Sequence, residues 1–160
     1  MNGKQTLIQK LFPNVNESPK LHKQLRLHIL SKYLTEEIKT NTRHYFEFNG
    51  KKEGEYKYWH KNGQLFEHSF FKNNQFHGEY KAWYRTGQQL KHCFYQNGNR
   101  HGEYTDWYEN GQLWEHSFYQ NGQRHGELKL WHKNGQVWKQ CFYQNGKLRY
   151  ECTMWYRNGQ

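Results

Sequence analysis

The stretch HGEYKAWYRTGQQLKHCFYQNGNR at residues 77–100 is followed directly by HGEYTDWYENGQLWEHSFYQNGQR at residues 101–124, and 15 of the 24 aligned positions are identical. The same 24-residue frame continues on both sides without an insertion. A strict period of this length indicates repeat units that pack mainly against their neighbours. The units are residues 53–76, 77–100, 101–124, 125–148 and a partial unit at 149–160.

Each unit contains two dipeptides that favour chain reversal, alternately 13 and 11 residues apart. Asn-Gly suits a type I′ turn because both central residues need positive φ, which Gly adopts freely and Asn tolerates. We therefore expect a hairpin reversal at every one of these dipeptides. They are Asn49-Gly50, Asn62-Gly63, Asn73-Asn74, Thr86-Gly87, Asn97-Gly98, Asn110-Gly111, Asn121-Gly122, Asn134-Gly135, Asn145-Gly146 and Asn158-Gly159.

The segments between turns are rich in Tyr, Trp, Phe, Thr and Lys in partial alternation, which is typical of β-strands. The sequence therefore predicts an all-β fold. Its expected form is an elongated single-layer antiparallel meander of stacked 24-residue β-hairpin repeats. We expect this array to occupy residues 45–160.

Aromatic side chains recur at fixed positions of the unit, and we expect them to pack between repeats. Glycines also recur inside the strands, where a missing side chain predicts a bulge or a close approach. These structural positions are Trp59, Trp83, Trp107, Trp131 and Trp155, then Phe70, Phe94, Phe118 and Phe142, then Gly54, Gly78, Gly102 and Gly126, with Tyr150 breaking the glycine series.

A 48-residue period overlies the 24-residue one. Glu67, Lys91, Glu115 and Lys139 alternate in sign, and Ser69, Cys93, Ser117 and Cys141 alternate in step with them. This pattern indicates duplication of a two-repeat unit.

Residues 1–44 form a different region. Ser18 and Pro19 are typical of a helix start, and apolar residues then recur at three- and four-residue spacing from Leu21 to Ile38. We predict a short N-terminal helical segment with a helix at about 19–39. It can cap the first hairpin, or its basic side can lie on an anionic membrane.

Composition restricts the class of protein. Aromatic residues make up 19% of the chain, apolar residues only 34%, and the formal net charge is +10. This charge favours anionic partners without choosing among them. The odd number of cysteines, Cys93, Cys141 and Cys152, predicts free thiols in a reducing compartment, and no export signal or membrane-spanning stretch is evident. We expect a cytoplasmic protein, peripheral at a membrane surface at most.

The repeated His, Glu and Cys residues favour a structural role over a catalytic or metal-binding one. Equivalent residues of adjacent repeats lie about 10 Å apart, too far to share one ion. Five glutamates at one repeat position likewise do not make one active site. The sequence predicts no enzyme, no metal and no cofactor.

Positions that differ between copies are where specificity for a partner can reside, although variation also marks sites where any residue is tolerated. Both interpretations stay open. The candidate binding residues chosen on this basis are Tyr58, Arg85, Asp106, Trp114 and Trp138.

The string GEYKAWYRTGQQLKHCFYQNGNRHG at residues 78–102 resembles MORN-variant repeats, in which Gly, an aromatic pair, Asn-Gly-Gln and a second Asn-Gly recur. The resemblance covers about residues 46–160. It implies an array of stacked hairpins, with family members acting as protein-binding scaffolds, membrane-associated modules and bacterial antitoxin-like proteins. The Gly, Tyr, Trp and Asn-Gly positions are structural in that family, so the resemblance carries over no catalytic residue.

Our first hypothesis is a non-enzymatic scaffold, of which an antitoxin-like partner-binding protein is one form. The alternatives are peripheral binding to acidic phospholipid and aromatic-ladder binding of carbohydrate. Lys and Arg are interleaved with Glu along the repeats, which disfavours a nucleic-acid groove. An unpaired last strand, Cys152 to Tyr156, also predicts self-association through a sheet edge.

Overall fold

The computed structural model describes residues 36–159, and they form one antiparallel sheet of twelve strands. Strands β1 to β11 lie side by side in chain order, and β12 pairs with β10, so the predicted all-β meander is confirmed. The strands are β1 Glu36–Lys39, β2 Arg43–Phe48, β3 Lys51–Trp59, β4 Leu65–Lys72, β5 Gln75–Trp83, β6 Gln89–Gln96, β7 Asn99–Trp107, β8 Leu113–Gln120, β9 Gln123–Trp131, β10 Val137–Gln144, β11 Lys147–Leu148 and β12 Thr153–Met154.

The sheet begins at Glu36, earlier than the predicted start at residue 45. Residues 36–39 were predicted as the last turn of a helix, and that prediction is wrong. They pair with β2, with Glu37 opposite Phe46 and Ile38 opposite Tyr45, so ladder hydrogen bonds satisfy their backbone groups. The remainder of the predicted helix, residues 19–35, lies outside the described residues.

The chain reversals are of two kinds, and the prediction of type I′ turns holds for only one. Asn97 and Gly98 both have positive φ, 50° and 79°, as do the equivalent pairs at residues 49–50, 73–74, 121–122 and 145–146. In the other kind only the glycine is left-handed, as at Gly111, whose N–H donates to the carbonyl of Tyr108. There the Asn110 side chain instead accepts from the backbone N–H of Gln112.

One face of the sheet is buried by alternation of large and small side chains. We call it the tyrosine face. Successive strands place opposite one another the residues Tyr45, Tyr56, Ser69, Tyr80, Cys93, Tyr104, Ser117, Leu128 and Cys141. Ser69, Cys93, Ser117 and Cys141 are at most 1% exposed, because each lies beside larger side chains of the row or, for Cys141, beside Leu128 and the disulfide-bonded Cys152. This row, which we call the core row, contains most of the buried residues of the sheet, whereas the tryptophans and phenylalanines expected to pack between repeats are only partly buried.

Side chains at the longer turns link each repeat to the next. Tyr84 donates its hydroxyl to the carbonyl of Trp107 at 2.8 Å, and Tyr108 does the same to Trp131 at 2.9 Å. The side-chain amides of Asn110 and Asn134 reach the carbonyls of Lys133 and Arg157, both at 3.0 Å. These bonds hold the hairpins in register independently of the strand ladder.

The last repeat is interrupted. Gly126 inside β9 has a φ of 92°, whereas the corresponding position is occupied by Tyr150, and a residue with a Cβ is strained in that conformation. The continuous strand of the other units is replaced here by the short strands β11 and β12. A disulfide joins Cys141 of β10 to Cys152, and only Cys93 is free.

The disulfide shows that the prediction of three free thiols is wrong. The two cysteines are 11 residues apart and lie on adjacent segments of the sheet, with a Cα–Cα distance of 4.5 Å, so the fold brings together two residues that spacing alone did not pair. The prediction of a reducing compartment loses its support from free thiols and stays a prediction.

Candidate functional site

The face opposite the tyrosine face carries a row of side chains in which lysine and histidine predominate, and we call it the histidine face. In an antiparallel sheet, residues directly opposite one another project to the same side with their Cβ atoms about 5 Å apart. Successive strands from β1 to β10 here place side by side Lys39, His44, Lys57, His68, Lys81, His92, Thr105, His116, Lys129 and Gln140. Lysine and histidine therefore alternate across most of the sheet.

A glutamate beside each pair neutralises part of this row. Glu55 Oε1 lies 2.9 Å from Lys57 Nζ and 2.8 Å from His68 Nε2, and Glu79 contacts Lys81 and His92 in the same way. The hydrogen bond from Lys57 lowers the pKa of Glu55, partial burial opposes this, and His68 adds to the lowering. The remaining pairs are Glu37 with His44, Glu103 with His116, and Glu127 with Lys129.

Phenylalanines form a second line on the histidine face. Phe94, Phe118 and Phe142 are 38%, 38% and 42% exposed, so these rings are only partly covered, although Phe118 lies against Gly126 of the next repeat. Phe94 lies opposite Glu79, and its ring centroid is 5.1 Å from that of His92. The same arrangement recurs at His116 and Phe118, at 5.0 Å. Apolar rings are thus presented to solvent next to the basic row.

The tyrosine face carries charges of another kind, most of them half-buried. Ser117 donates to Glu115 at 2.7 Å, Arg124 binds the same oxygen at 3.0 Å, and Ser69 donates to Glu67 at 2.8 Å. Burial raises the pKa of Glu67, and the bond from Ser69 offsets it only in part. These bonds follow the 48-residue period, because each Glu of the period accepts a hydrogen bond from the serine two residues later, whereas each Lys has a cysteine at that position.

Asp106 joins this network as the counterion of a lysine in the middle of the sheet. It lies opposite Lys91, with 3.7 Å between Oδ1 and Nζ, and accepts a hydrogen bond from the Tyr104 hydroxyl at 2.7 Å. Burial raises its pKa, and the contacts with Tyr104 and Lys91 act in the opposite direction. Its observed partners belong to the chain itself.

The five candidate binding residues do not share one set of partners. Trp114 and Trp138 come together, with ring centroids 5.8 Å apart and planes at 23°, and Tyr108 packs on Trp114. Tyr58 contacts Phe66 and lies under Arg43. Arg85 is an exposed turn residue whose carbonyl accepts from Asn62. None of these contacts tests binding, and all five stay predictions.

The predicted structural glycines have positive φ angles, and the predicted structural tryptophans take part in backbone hydrogen bonds. Gly78, Gly102 and Gly126 have φ values of 100°, 83° and 92°. The tryptophans are half-buried, and the carbonyls of Trp83, Trp107 and Trp131 accept bonds from the preceding repeat. The remaining two, Trp59 and Trp155, donate backbone bonds to Thr42 and Trp138.

Sequence reasoning did not identify the histidine face. The signal was present in the 24-residue alignment, where Lys57, Lys81 and Lys129 share one position and His68, His92 and His116 share another. The lysine and histidine positions become neighbours only through the pairing of adjacent strands. A bulge in each repeat shifts that pairing, so it does not follow from the sequence alignment alone.

Among the described residues, the pockets are open and shallow, and the free thiol is buried. The open pockets include one of about 390 Å³ lined by Gln136, Val137, Gln140, Trp155 and Gly159. Burial raises the pKa of the Cys93 thiol to about 11, so it is protonated at neutral pH. Within residues 36–159, no three His, Cys, Asp or Glu side chains are arranged to hold a metal ion, and no helix there has the length and apolarity to cross a membrane.

Comparison with known proteins gives one family and a weak structural likeness. No curated protein matches the chain. Among solved structures, a mutant of S. aureus TarM in complex with fondaparinux, alpha-GlcNAc-glycerol and UDP aligns at a TM-score of 0.37 and 17% identity over 87% of this chain. A second TarM structure aligns at a TM-score of 0.29 and 16% identity over 90% of this chain. This chain covers 26% of the length of each.

The family model described as MORN repeat variant matches residues 52–73, 100–121, 124–145 and 139–156. The matched segments contain the tryptophans Trp59, Trp107, Trp131 and Trp155 and the core-row residues Ser69, Ser117 and Cys141, and they leave out residues 74–99. The repeat region of this chain belongs to the MORN repeat variant family.

Proposed function

We propose that this chain is a non-enzymatic repeat protein that acts as a protein-interaction scaffold and binds its partner through the histidine face. The observation that carries the proposal is the line of exposed rings at Phe94, Phe118 and Phe142, beside a row of basic side chains. Aligned apolar groups rimmed by polar residues are typical of protein-binding surfaces. An antitoxin-like role is a narrower form of the same proposal.

The charges on the two faces support this assignment of the binding surface. On the tyrosine face, Glu115 and Asp106 have partners within the chain and are mostly buried. On the histidine face, the glutamate partners of His44 and His116 are 56% and 55% exposed. A partner can therefore reach the charges of the histidine face without disturbing the core.

The test is a comparison of two triple variants in affinity capture from the native cell. Phe94→Ser, Phe118→Ser and Phe142→Ser together remove the rings, and Lys61→Ser, Glu109→Ser and Lys133→Ser change exposed turn residues as the control. Each ring that is buried on binding contributes on the order of 1.5–3 kcal/mol. We expect the phenylalanine variant to lose its captured protein by at least about 100-fold and the control variant to retain it. Equal capture by both variants would contradict the proposal.

The alternative function is peripheral binding to acidic phospholipid, because phenylalanines beside lysines also suit an anionic membrane surface. The net charge of +10 favours it further. Co-sedimentation with phosphatidylcholine vesicles, with and without phosphatidylserine, distinguishes the two functions. Binding that follows the phosphatidylserine content and disappears in the phenylalanine variant supports the membrane function. Carbohydrate binding stays a prediction that glycan arrays can test.

A further inference from the structure

We propose that the histidine face binds an acidic, extended polypeptide segment, and that this binding becomes stronger as the pH falls from 8 to about 5.5. The inference rests on the proposed function and adds to it the chemistry of the partner and a control by pH. It is carried by the row of alternating lysines and histidines, by the glutamates that contact them, and by the neighbouring phenylalanines.

The net charge of the lysine–histidine row and its contacting glutamates reverses when the histidines of the row are protonated. The row contains four lysines, Lys39, Lys57, Lys81 and Lys129, next to five glutamates, Glu37, Glu55, Glu79, Glu103 and Glu127, which leaves one net negative charge. Protonation of His44, His68, His92 and His116 gives three net positive charges. Histidine is the side chain that ordinarily changes charge between pH 5 and 8.

Each histidine is surrounded by groups of both signs, drawn from the strands on either side. His68 faces Lys57 and Glu55 on β3 and Lys81 on β5. Glu79 is also on β5, where it is paired with Phe94 of β6. His92 faces Lys81 and Glu79 on β5 and Thr105 on β7. His116 faces Glu103 and Thr105 on β7 and Lys129 on β9. The last of the four, His44, faces Lys39 and Glu37 on β1 and Lys57 on β3.

Protonation therefore adds positive charge next to lysines whose glutamates are already engaged. Glu55 and Glu79 each contact one lysine and one histidine through the same oxygen. One carboxylate cannot neutralise two cations. The excess positive charge is available to carboxylates of a partner, and this is the basis of the expected pH dependence.

The spacing of the face fits a polypeptide. Equivalent histidines, and equivalent phenylalanines, are two strands apart, which is about 9.6 Å. Three residues of a polyproline II segment advance about 9.3 Å and return the side chain to the same direction. A segment with an acidic and an apolar residue in every three can therefore place a carboxylate at each histidine and an apolar group at each phenylalanine.

The chain itself contains a natural comparison at the same repeat position. Gln140 takes the place of His68, His92 and His116, and its side-chain amide donates to Glu127 as the histidines contact their glutamates. Glutamine is thus accommodated in this row while a glutamate contact is kept. Replacement of the histidines by glutamine removes the titratable charge with little change in packing.

The test measures binding of a fluorescent (Asp-Leu-Pro)4 peptide to the full chain at pH 8 and pH 5.5. Aspartate stays ionised over this range, since its ordinary pKa is about 3.9. We expect the wild type to bind at least about tenfold more tightly at pH 5.5. The triple variant His68→Gln, His92→Gln and His116→Gln is expected to bind as the wild type does at pH 8, with its pH dependence reduced to about twofold or less.

A matched triple controls for charge in general. The triple variant His77→Gln, His101→Gln and His125→Gln removes three histidines that lie near the phenylalanines, with His125 beside Phe142, and leaves the His–Glu contacts of the row in place, so it is expected to keep most of the wild-type pH dependence. The reverse change, Gln140→His, restores a histidine beside Glu127 and is expected to increase the dependence. An uncharged (Asn-Leu-Pro)4 peptide is expected to bind equally weakly at both pH values. Tryptophan fluorescence verifies that each variant is folded.

Three results would overturn the inference. They are an unchanged affinity of the wild type between the two pH values, an equal loss of pH dependence in both triple variants, and pH-dependent binding confined to phosphatidylserine vesicles or to an oligothymidine. The proposed function fails separately. Capture of the native partner by the phenylalanine variant contradicts the scaffold, whereas retention of pH dependence by the His68, His92 and His116 variant contradicts only the acid-strengthened binding.

Discussion

The two faces of the sheet are built by the same strands and the same register but have opposite chemistry. On the tyrosine face, a large ring alternates with Ser or Cys, and the small residues are at most 1% exposed. On the histidine face, Lys alternates with His, and the nearby phenylalanines are 38–42% exposed. Because adjacent residues of a strand point to opposite sides, alternate positions of one repeat belong to the buried core row and to the more exposed histidine face. Substitutions on the two faces should therefore differ in their effects on the free energy of unfolding and on its pH dependence.

The largest expected difference comes from removing one ring on each side. Tyr104 is 4% exposed and lies between Cys93 and Ser117, so Tyr104→Ala should lower the free energy of unfolding by about 3–5 kcal/mol. Phe118→Ala on the other face should cost less, about 1–2 kcal/mol, because 38% of that residue is already exposed to water. Urea denaturation followed by tryptophan fluorescence compares them. Equal losses would mean that the two faces are packed alike.

A smaller effect should separate two serines of the tyrosine face. Ser69→Ala removes the hydrogen bond to Glu67, whose pKa is already raised by burial, whereas Ser117→Ala leaves Glu115 its bond from Arg124. We expect a loss of about 2 kcal/mol for the first and about 1 kcal/mol for the second, since a buried acceptor without a donor is the costlier case. Urea midpoints of the two variants measured side by side test this order.

The smallest effect concerns pH, and its sign should differ between the faces. Burial raises the pKa of Glu67, so its ionisation opposes folding, and this cost develops as the pH rises from about 4.5 through the higher folded pKa. The bond from Lys57 lowers the pKa of Glu55, whose stabilisation is present above about pH 4.5 and is lost as the pH falls through its lower folded value.

Glu67→Gln should therefore stabilise the protein at pH 7 relative to pH 4, and Glu55→Gln should destabilise it slightly. Thermal unfolding at pH 4 and pH 7 measures both changes, with the wild type as the reference. A shift of the same sign in the two variants would contradict the assignment of the two glutamates to different surroundings.

The repeat was enough to predict the fold class, since the Asn-Gly dipeptides and the aromatic strands indicate a meander directly. It was not enough to predict which residues form the core. The tryptophans and phenylalanines are larger than the serines and cysteines, and hydrophobicity alone favours them as core residues. In a single sheet, however, burial depends on which residues lie opposite one another, and Ser69 and Ser117 are covered by the larger side chains of neighbouring strands.

The candidate site was predicted less well for a related reason. Comparison between copies singled out residues that differ, such as Trp114 and Trp138, which stack on each other. The histidine face consists mostly of residues that recur, and recurrence was interpreted as a requirement of the fold. A periodic surface can also be a requirement of a periodic partner. The Cys141–Cys152 disulfide was missed because strand register, not spacing in the sequence, brings the two residues together.

The side chains that link one repeat to the next also bear on how many repeats can be inserted into the array at once. Tyr84 and Tyr108 each donate to the carbonyl of the tryptophan 23 residues later, so a copied repeat inserted within the array meets the acceptor it needs. A single copy would nevertheless place two glutamates or two lysines in succession in the row of Glu67, Lys91, Glu115 and Lys139. Insertion of two copies preserves the alternation of charge. Evolutionary lengthening of this protein is therefore expected to proceed in steps of four strands, each step adding two further histidine positions to the opposite face.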